Sequence, residues 1–245
     1  MLNHKFIGNK DSNQLIIFLH EGLGCIEMWR DYPEEVCSKL KCSGLLYDRA
    51  GYGKSSGSLL NRKSNYLHLG ALELYELIHD LKLNNKEITL YGHSDGGSIA
   101  LIFSSKYSNI IKAVITEAAH VFVEDITIAG IIPAEDAFLQ GKLIGLKKYH
   151  GERYVEVFEA WTKIWNHSSF RDWNIEQELK NIICPQLIIQ GQNDEYGTLK
   201  QVESINLNTI GKTTTFTPDK CGHAPFKWLP DEVLHKVGQF INLLE

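Results

Sequence analysis

The sequence predicts an α/β fold with a mostly parallel central sheet flanked by helices. Short apolar segments alternate with longer segments of helical periodicity along the 245 residues. This alternation is typical of parallel sheets joined by right-handed helical crossovers. Hydrophobic residues make up 43% of the chain, enough for a core that needs no disulfide or metal. The length suits one large domain, so we expect residues 1–245 to form a single unit.

Six short apolar segments are predicted strands of this sheet. Strands that helices cover on both faces lack polar alternation and consist mainly of Ile, Leu, Val and aromatic residues. The segments that fit are residues 15–20, 44–48, 88–91, 113–116, 187–190 and 213–216.

Three amphipathic segments between or after these strands are predicted helices, over residues 66–83, 98–107 and 232–244. In the first, apolar side chains recur at helical spacing and form one stripe that can pack on the sheet. The stripe consists of Leu67, Ala71, Leu74, Ile78 and Leu81.

Residues 132–180 break the alternation because their pattern is helical only. An aromatic face recurs there at steps of four, three and four residues, formed by Tyr154, Phe158, Trp161 and Trp165. Long insertions in compact domains tend to be functional, so we expect a helical lid over the mouth of the sheet. The alternative is a set of ordinary helices packed on the side of the domain.

Composition excludes several classes of partner. The chain has 25 Lys and Arg against 30 Asp and Glu, a formal charge of −5, which argues against nucleic acid. Its five cysteines include no C-x-x-C pair, so free thiols are expected. No secretory leader is visible, and the longest clean apolar run, residues 15–19, is too short to cross a membrane. We expect a cytoplasmic protein, monomeric or homodimeric, without a membrane partner.

The motif Gly92-His93-Ser94-Asp95-Gly96 carries the strongest chemical signal. A predicted strand precedes it and a predicted helix follows it, which is the setting of a nucleophile elbow. Small flanking residues are needed there because the serine lies in a tight, strained turn. The turn also puts Ser94 at a helix N-terminus, where the helix dipole favours a developing anion.

A serine nucleophile needs a base, and the base needs an orienting carboxylate. After the predicted strand at 187–190 comes Asp194, and after the strand at 213–216 comes His223. The chain order Ser94, Asp194, His223 distinguishes this arrangement from the two other common serine-hydrolase orders. Glu117, at the end of the strand at 113–116, is the alternative acid.

An oxyanion hole would complete the site, since backbone N–H groups stabilise the negative charge of an acyl-transfer intermediate. One donor is predicted to be the N–H of Asp95, directly after the nucleophile. The second is expected from the loop after the first strand, His20-Glu21-Gly22-Leu23-Gly24. Gly22 is our choice, with Leu23 as the alternative.

With these motifs the sequence resembles the α/β-hydrolase fold enzymes over nearly its whole length. The matching segments are HEGLG (20–24), DRAGYGKS (48–55), GHSDGG (92–97), GQNDEYG (191–197) and CGHAPF (221–226). Within that fold the elbow is similar to that of the valacyclovir hydrolase (biphenyl hydrolase-like) group. The chain departs from the family in an N-terminal hairpin reduced to at most residues 4–8 and in the oxyanion loop, which weakens a proline iminopeptidase assignment.

Acidic and aromatic residues near the motifs are candidates for substrate binding. The Asp95 side chain could bind a substrate ammonium group, as the resemblance also implies, or could only complement the helix dipole. Glu21 and Glu117 could add to this acidity near the nucleophile. Trp161 and Trp165, on the aromatic face, are expected to shape an apolar acyl pocket.

These features predict a serine hydrolase that cleaves a carboxylic ester of a small molecule through an acyl-enzyme, without metal or organic cofactor. Amine-bearing substrates could be favoured. The same residues could instead cleave a thioester, a lactone or a C–C bond. A non-catalytic small-molecule receptor on the same fold is the alternative from another class.

Overall fold

The computed structural model describes residues 2–60 and 62–244. These residues contain a seven-stranded sheet with the spatial order β1-β3-β2-β4-β5-β6-β7. The strands are β1 His4–Gly8, β2 Gln14–Leu19, β3 Ser43–Tyr47, β4 Glu87–His93, β5 Ile111–Glu117, β6 Gln186–Ile189 and β7 Thr213–Phe216. The mostly parallel α/β architecture predicted from the sequence is confirmed.

Of the seven strands in the described residues, only β1 runs against its neighbour, as an antiparallel edge strand on β3. The remaining pairs are parallel, and their registers align the carboxyl ends of the strands along one edge of the sheet. β4 lies between β2 and β5. The loops after β2 and β5 therefore flank the residue that follows β4, which is Ser94.

Ten α-helices occur in the described residues. They are α1 Tyr32–Leu40, α2 Tyr66–Asp80, α3 Asp95–Tyr107, α4 Asp125–Leu139, α5 Lys147–His150, α6 Tyr154–Trp165, α7 Glu176–Leu179, α8 Lys200–Asn208, α9 Pro225–Trp228 and α10 Pro230–Asn242. The three predicted helices are present as α2, α3 and α10. α3 begins at Asp95, earlier than expected, because its first turn is part of the elbow itself.

Apolar clusters cover both faces of the sheet. α2 and α3 pack on one face, where Leu74, Ile78 and Ile99 are fully buried against β2 and β4. α1 and α10 pack on the other face, where Val36 and Val237 have no exposed surface. Burial on both faces explains why the central strands read as continuous apolar runs. All five cysteines are buried free thiols, as the sequence indicated.

The segment between β5 and β6 holds the helices α4 to α7. It begins with α4 at Asp125, earlier than the predicted boundary at residue 132. A single antiparallel bridge joins Phe122 to Asn174 at the base of this insertion. Within residues 2–60 and 62–244, no helix has both the length and the apolar character to span a membrane.

Candidate active site

Ser94 occupies a strained turn between β4 and α3. Its φ of 54° and ψ of −119° are unfavourable for a residue with a side chain. The turn requires glycine on both sides: a Cβ at Gly92 would lie 2.2 Å from the Gly96 oxygen, and one at Gly96 would lie 2.0 Å from the Leu19 oxygen. The predicted elbow geometry is therefore present, and it holds the hydroxyl at the N-terminus of α3.

The structure brings the three sequence-predicted residues of the triad together. His223 Nε2 lies 2.9 Å from Ser94 Oγ. The other ring nitrogen, Nδ1, lies 2.8 Å and 2.9 Å from the two carboxylate oxygens of Asp194. This chain of hydrogen bonds joins loops that follow three different strands, β4, β6 and β7.

Asp194 is held by neighbours of its own. The Tyr196 N–H donates to Oδ1 at 2.8 Å, and the Gln190 amide donates to Oδ2 at 2.7 Å. Burial opposes ionisation of Asp194, but His223 and the Tyr196 N–H outweigh it and lower the pKa of the carboxyl. Burial likewise opposes protonation of His223, yet Asp194 raises the pKa of the imidazole above 6.5. The pair is thus arranged to stabilise an imidazolium.

A second histidine fixes the loop that carries His223. His93 Nε2 donates to the backbone oxygen of His223 at 2.8 Å. Burial lowers the pKa of His93 to about 4, so its ring is neutral near pH 7 and this nitrogen bears the proton. Tyr196 packs edge-on against the His223 ring, with centroids 4.7 Å apart.

The loop predicted to supply the second oxyanion donor is oriented by hydrogen bonds to its carbonyl groups. Arg49 donates to the Glu21 oxygen at 2.7 Å, and His150, from the helical insertion, lies with Nε2 2.9 Å from the Leu23 oxygen. Gly22 is buried between the insertion and the elbow. A Cβ added there would lie 2.6 Å from Trp161 of the insertion and 3.4 Å from Asp95 Oδ2 of the elbow. The Asp95 N–H belongs to the first turn of α3, where N–H groups have no partner within the helix.

The Asp95 side chain has partners that the sequence did not reveal. It is 1% exposed. The Tyr66 hydroxyl donates to Oδ1 at 2.9 Å, and Arg49 Nη1 lies 3.5 Å from Oδ2. A substrate ammonium group would therefore share this carboxylate with a buried guanidinium, so amine binding by Asp95 stays a prediction.

The other substrate-binding candidates lie in different settings. Glu21 is partly exposed and pairs with Lys227 at 3.6 Å. Burial opposes its ionisation, but Lys227 and the nearby histidines hold its pKa below the usual value. Trp161 is partly exposed above Gly22, whereas Trp165 is 3% exposed and packs on His120 with ring centroids 5.1 Å apart. Trp161 is therefore better placed than Trp165 to meet a substrate.

Glu117 does not lie where a substrate-binding residue would. Glu117 is fully buried, with 0% of its surface exposed to solvent. The Tyr91 hydroxyl donates to Oε1, and the Phe226 N–H donates to Oε2 at 2.9 Å. Because both oxygens are engaged inside the protein, we correct the expectation that Glu117 contacts substrate. The alternative role of triad acid also lacks a contact, since His223 Nδ1 is bonded to Asp194.

Sequence reasoning missed Tyr66, His150 and Tyr196 as neighbours of the site. Tyr66 opens α2, His150 ends α5 and Tyr196 follows Asp194 by two residues. Only the motif around Asp194 could have drawn attention to Tyr196. The other two reach the site through long-range packing, for which no local pattern exists.

Comparison with known proteins identifies the family and the fold. Residues 14–157 match the family described as alpha/beta hydrolase fold. A proline iminopeptidase of Saccharolobus solfataricus is 23% identical over 98% of this chain and 88% of its own length. The human serine hydrolase BPHL is 29% identical to this chain, and the match covers 71% of this chain and 60% of that protein.

Among solved structures, MGS-M2, an alpha/beta hydrolase enzyme from a Medee basin deep-sea metagenome library, superimposes with a TM-score of 0.79. It is 20% identical, and the match covers 98% of this chain and 94% of that one. A likeness at this identity concerns the fold. Together with the family match over more than half of the sequence, it leads to one conclusion: the chain belongs to the alpha/beta hydrolase fold family and is a hydrolase.

Proposed function

We propose that this protein is a serine hydrolase that cleaves carboxylic esters of small molecules through an acyl-enzyme. The observation that carries the proposal is the continuous hydrogen-bonded chain from Ser94 Oγ through His223 to Asp194, with separations of 2.9 Å and 2.8 Å. Nucleophile, base and orienting acid within such distances are the requirement for activating a serine. The relation to a protein named serine hydrolase supports it.

In the proposed acylation, Ser94 Oγ attacks the ester carbonyl carbon while His223 Nε2 takes the hydroxyl proton. The resulting tetrahedral oxyanion collapses, the bond to the alkoxy oxygen breaks, and His223 returns the proton to the leaving alcohol. A water molecule then attacks the acyl-enzyme with His223 again as base. The carboxylic acid leaves and Ser94 regains its proton. Asp194 stabilises the imidazolium in both halves.

The backbone N–H groups of Asp95 and Gly22 are the proposed oxyanion donors, with Leu23 as the alternative to Gly22. Arg49 and His150 engage the carbonyl oxygens of Glu21 and Leu23, which holds the loop before substrate arrives. Preorganised donors of this kind are worth about 10²- to 10³-fold in rate each. We further propose that the helical insertion acts as a lid, because Trp161 of α6 lies directly over Gly22.

The test is burst kinetics with p-nitrophenyl esters of short acids. An acyl-enzyme predicts one equivalent of p-nitrophenol before steady turnover, and a mass increase equal to the acyl group on Ser94 after acid quench. Ser94→Ala should abolish both. Ser105→Ala, on the same helix with its hydroxyl bonded to the Ile102 oxygen, is the matched control and should turn over normally.

Turnover by Ser94→Ala at the wild-type rate would contradict the proposal. Binding of ligands without any turnover by the wild type would favour the receptor alternative. A panel of matched oxygen esters, thioesters, lactones and β-diketones then identifies the bond, through the ratio of kcat/KM values.

A further inference from the structure

Glu117 contacts both halves of the candidate site without touching the reacting atoms. Its backbone oxygen accepts the N–H of Ser94 at 2.8 Å. Its side-chain Oε2 accepts the N–H of Phe226 at 2.9 Å. Phe226 follows His223 by three residues, in the first turn of α9. One residue at the end of β5 therefore links the nucleophile to the segment that carries the base.

The carboxyl group is fixed on its other side by two tyrosines. The Tyr91 hydroxyl on β4 donates to Oε1, and the Tyr32 hydroxyl on α1 lies 2.9 Å from that of Tyr91. Phe226 closes the space, with its ring centroid 5.2 Å from Tyr32 and 4.9 Å from Trp29. These contacts hold the Glu117 side chain in one place. The Phe226 N–H, which donates to that side chain, is held with it.

We infer that Glu117 is a positioning residue for the proposed reaction: its carboxyl oxygen holds the segment 223–226 so that His223 reaches Ser94. The inference rests on the proposed function. His223 Nε2 must stay within hydrogen-bond reach of Ser94 Oγ, and an error of about 1 Å in such a position can cost about 10²-fold in rate. Two further hydrogen bonds hold this segment, one from His93 to the His223 oxygen and one from the His223 N–H to Glu195 Oε2 at 3.2 Å.

The inference requires an acceptor at Oε2 and not a charge. Burial raises the pKa of Glu117 to about 7, although Tyr91, the Phe226 N–H, Lys227 and His223 act in the opposite direction. Tyr91 and Tyr32 are themselves neutral, because burial raises the pKa of each well above 10. A protonated Glu117 still accepts the Phe226 N–H through its carbonyl oxygen, while its own proton can be donated to Tyr91.

Two substitutions separate the acceptor from the charge. Glu117→Gln keeps a carbonyl oxygen for the Phe226 N–H, whereas Glu117→Leu leaves that buried N–H without a partner. Glu178→Leu is the matched control, since it also removes a carboxylate hydrogen bond, to His68 at 2.7 Å, but outside the candidate site. For each variant, kcat and KM are measured with a p-nitrophenyl ester, and the reactive enzyme is counted by covalent titration with a fluorophosphonate.

We expect Glu117→Leu to lower kcat per titrated site by about 10- to 100-fold, with KM changed less than about threefold. Glu117→Gln should restore kcat to within about threefold of the wild type, and Glu178→Leu should leave it unchanged. Full kcat in Glu117→Leu would overturn the inference, since the residue would then serve stability alone. Equal loss in Gln and Leu would also overturn it, because charge would then be the requirement.

Hydrogen exchange of the wild-type protein gives an independent check if Glu117→Leu does not fold. The Phe226 amide should exchange slowly, and fast exchange would overturn the inference. The two proposals fail separately. Turnover by Ser94→Ala would remove the proposed function, whereas an inactive Ser94→Ala with a fully active Glu117→Leu would remove only the role of Glu117.

Discussion

Asp194 follows strand β6 and Glu117 ends the adjacent strand β5, and both carboxyl groups are buried near the base of the candidate triad. Asp194 meets the His223 ring and two further donors, and His223 together with the Tyr196 N–H lowers the pKa of this acid. Glu117 meets hydroxyl and amide donors with no cation in contact, and burial raises the pKa of this acid to about 7. The groups that contact each carboxyl, and not its place relative to a strand end, decide which of the two acids favours the ionised form. The same contacts underlie the inferred role of Glu117 in positioning the loop.

Asp194→Asn tests one side of this comparison and should have the largest effect. An amide at this position cannot balance an imidazolium and favours the wrong tautomer of His223, so we expect kcat to fall by about 10⁴-fold. Steady-state and burst kinetics with a p-nitrophenyl ester measure it. A loss below about tenfold would mean that Glu117 can take over as the acid, and the double variant with Glu117→Gln would then be inactive.

The two acids also predict opposite effects of pH on stability. The folded protein favours protonated Glu117, so its contribution is full below the ordinary pKa of 4.5 and is lost as the pH rises toward 7. Asp194 contributes above its ordinary pKa of 3.8, and this contribution is lost as the pH falls through its lowered value.

The free energy of unfolding of the wild type should fall between pH 5 and pH 8 as Glu117 ionises. Glu117→Gln cannot ionise there, so its free energy of unfolding should fall less over this range, by up to about 3 kcal/mol. Urea unfolding of the wild type and the variant at both pH values measures it, and comparing the variant with the wild type cancels the contribution of His223. If the difference in free energy of unfolding between wild type and variant is the same at pH 5 and pH 8, Glu117 is ionised throughout this range.

Much of this comparison could be predicted from the sequence for Asp194 and little of it for Glu117. Asp194 lies in a recognisable loop after a strand, and the order of Ser94, Asp194 and His223 assigns its role without coordinates. The role of Glu117 depends on β5 lying beside β4 and on the first turn of α9 reaching back over that edge. Long-range packing of this kind has no local sequence pattern.

The same reason explains the strengths and gaps in the predicted fold. Buried strands and the long helices α2 and α10 have clear apolar patterns, and the structure contains them. α1 was missed because its buried face is formed by Tyr32, Pro33, Val36 and Cys37, which makes a weak stripe. The Arg49–Asp95 contact was missed because its two partners come after different strands, Arg49 in the loop after β3 and Asp95 at the start of α3 after β4.

Asp95 extends the comparison to a third buried carboxylate and should give the smallest effect. Arg49 lies 3.5 Å from its Oδ2, and Tyr66 donates to Oδ1, so its charge is already balanced inside the protein. We therefore expect Asp95→Asn to change the ratio of kcat/KM between amino-acyl esters and their neutral isosteres by less than about threefold. The ratio is internally controlled, because any loss of stability or of oxyanion geometry affects both esters. A fall of tenfold or more would instead show that Asp95 binds the substrate amine, as the sequence allowed, and that Arg49 gives way to it.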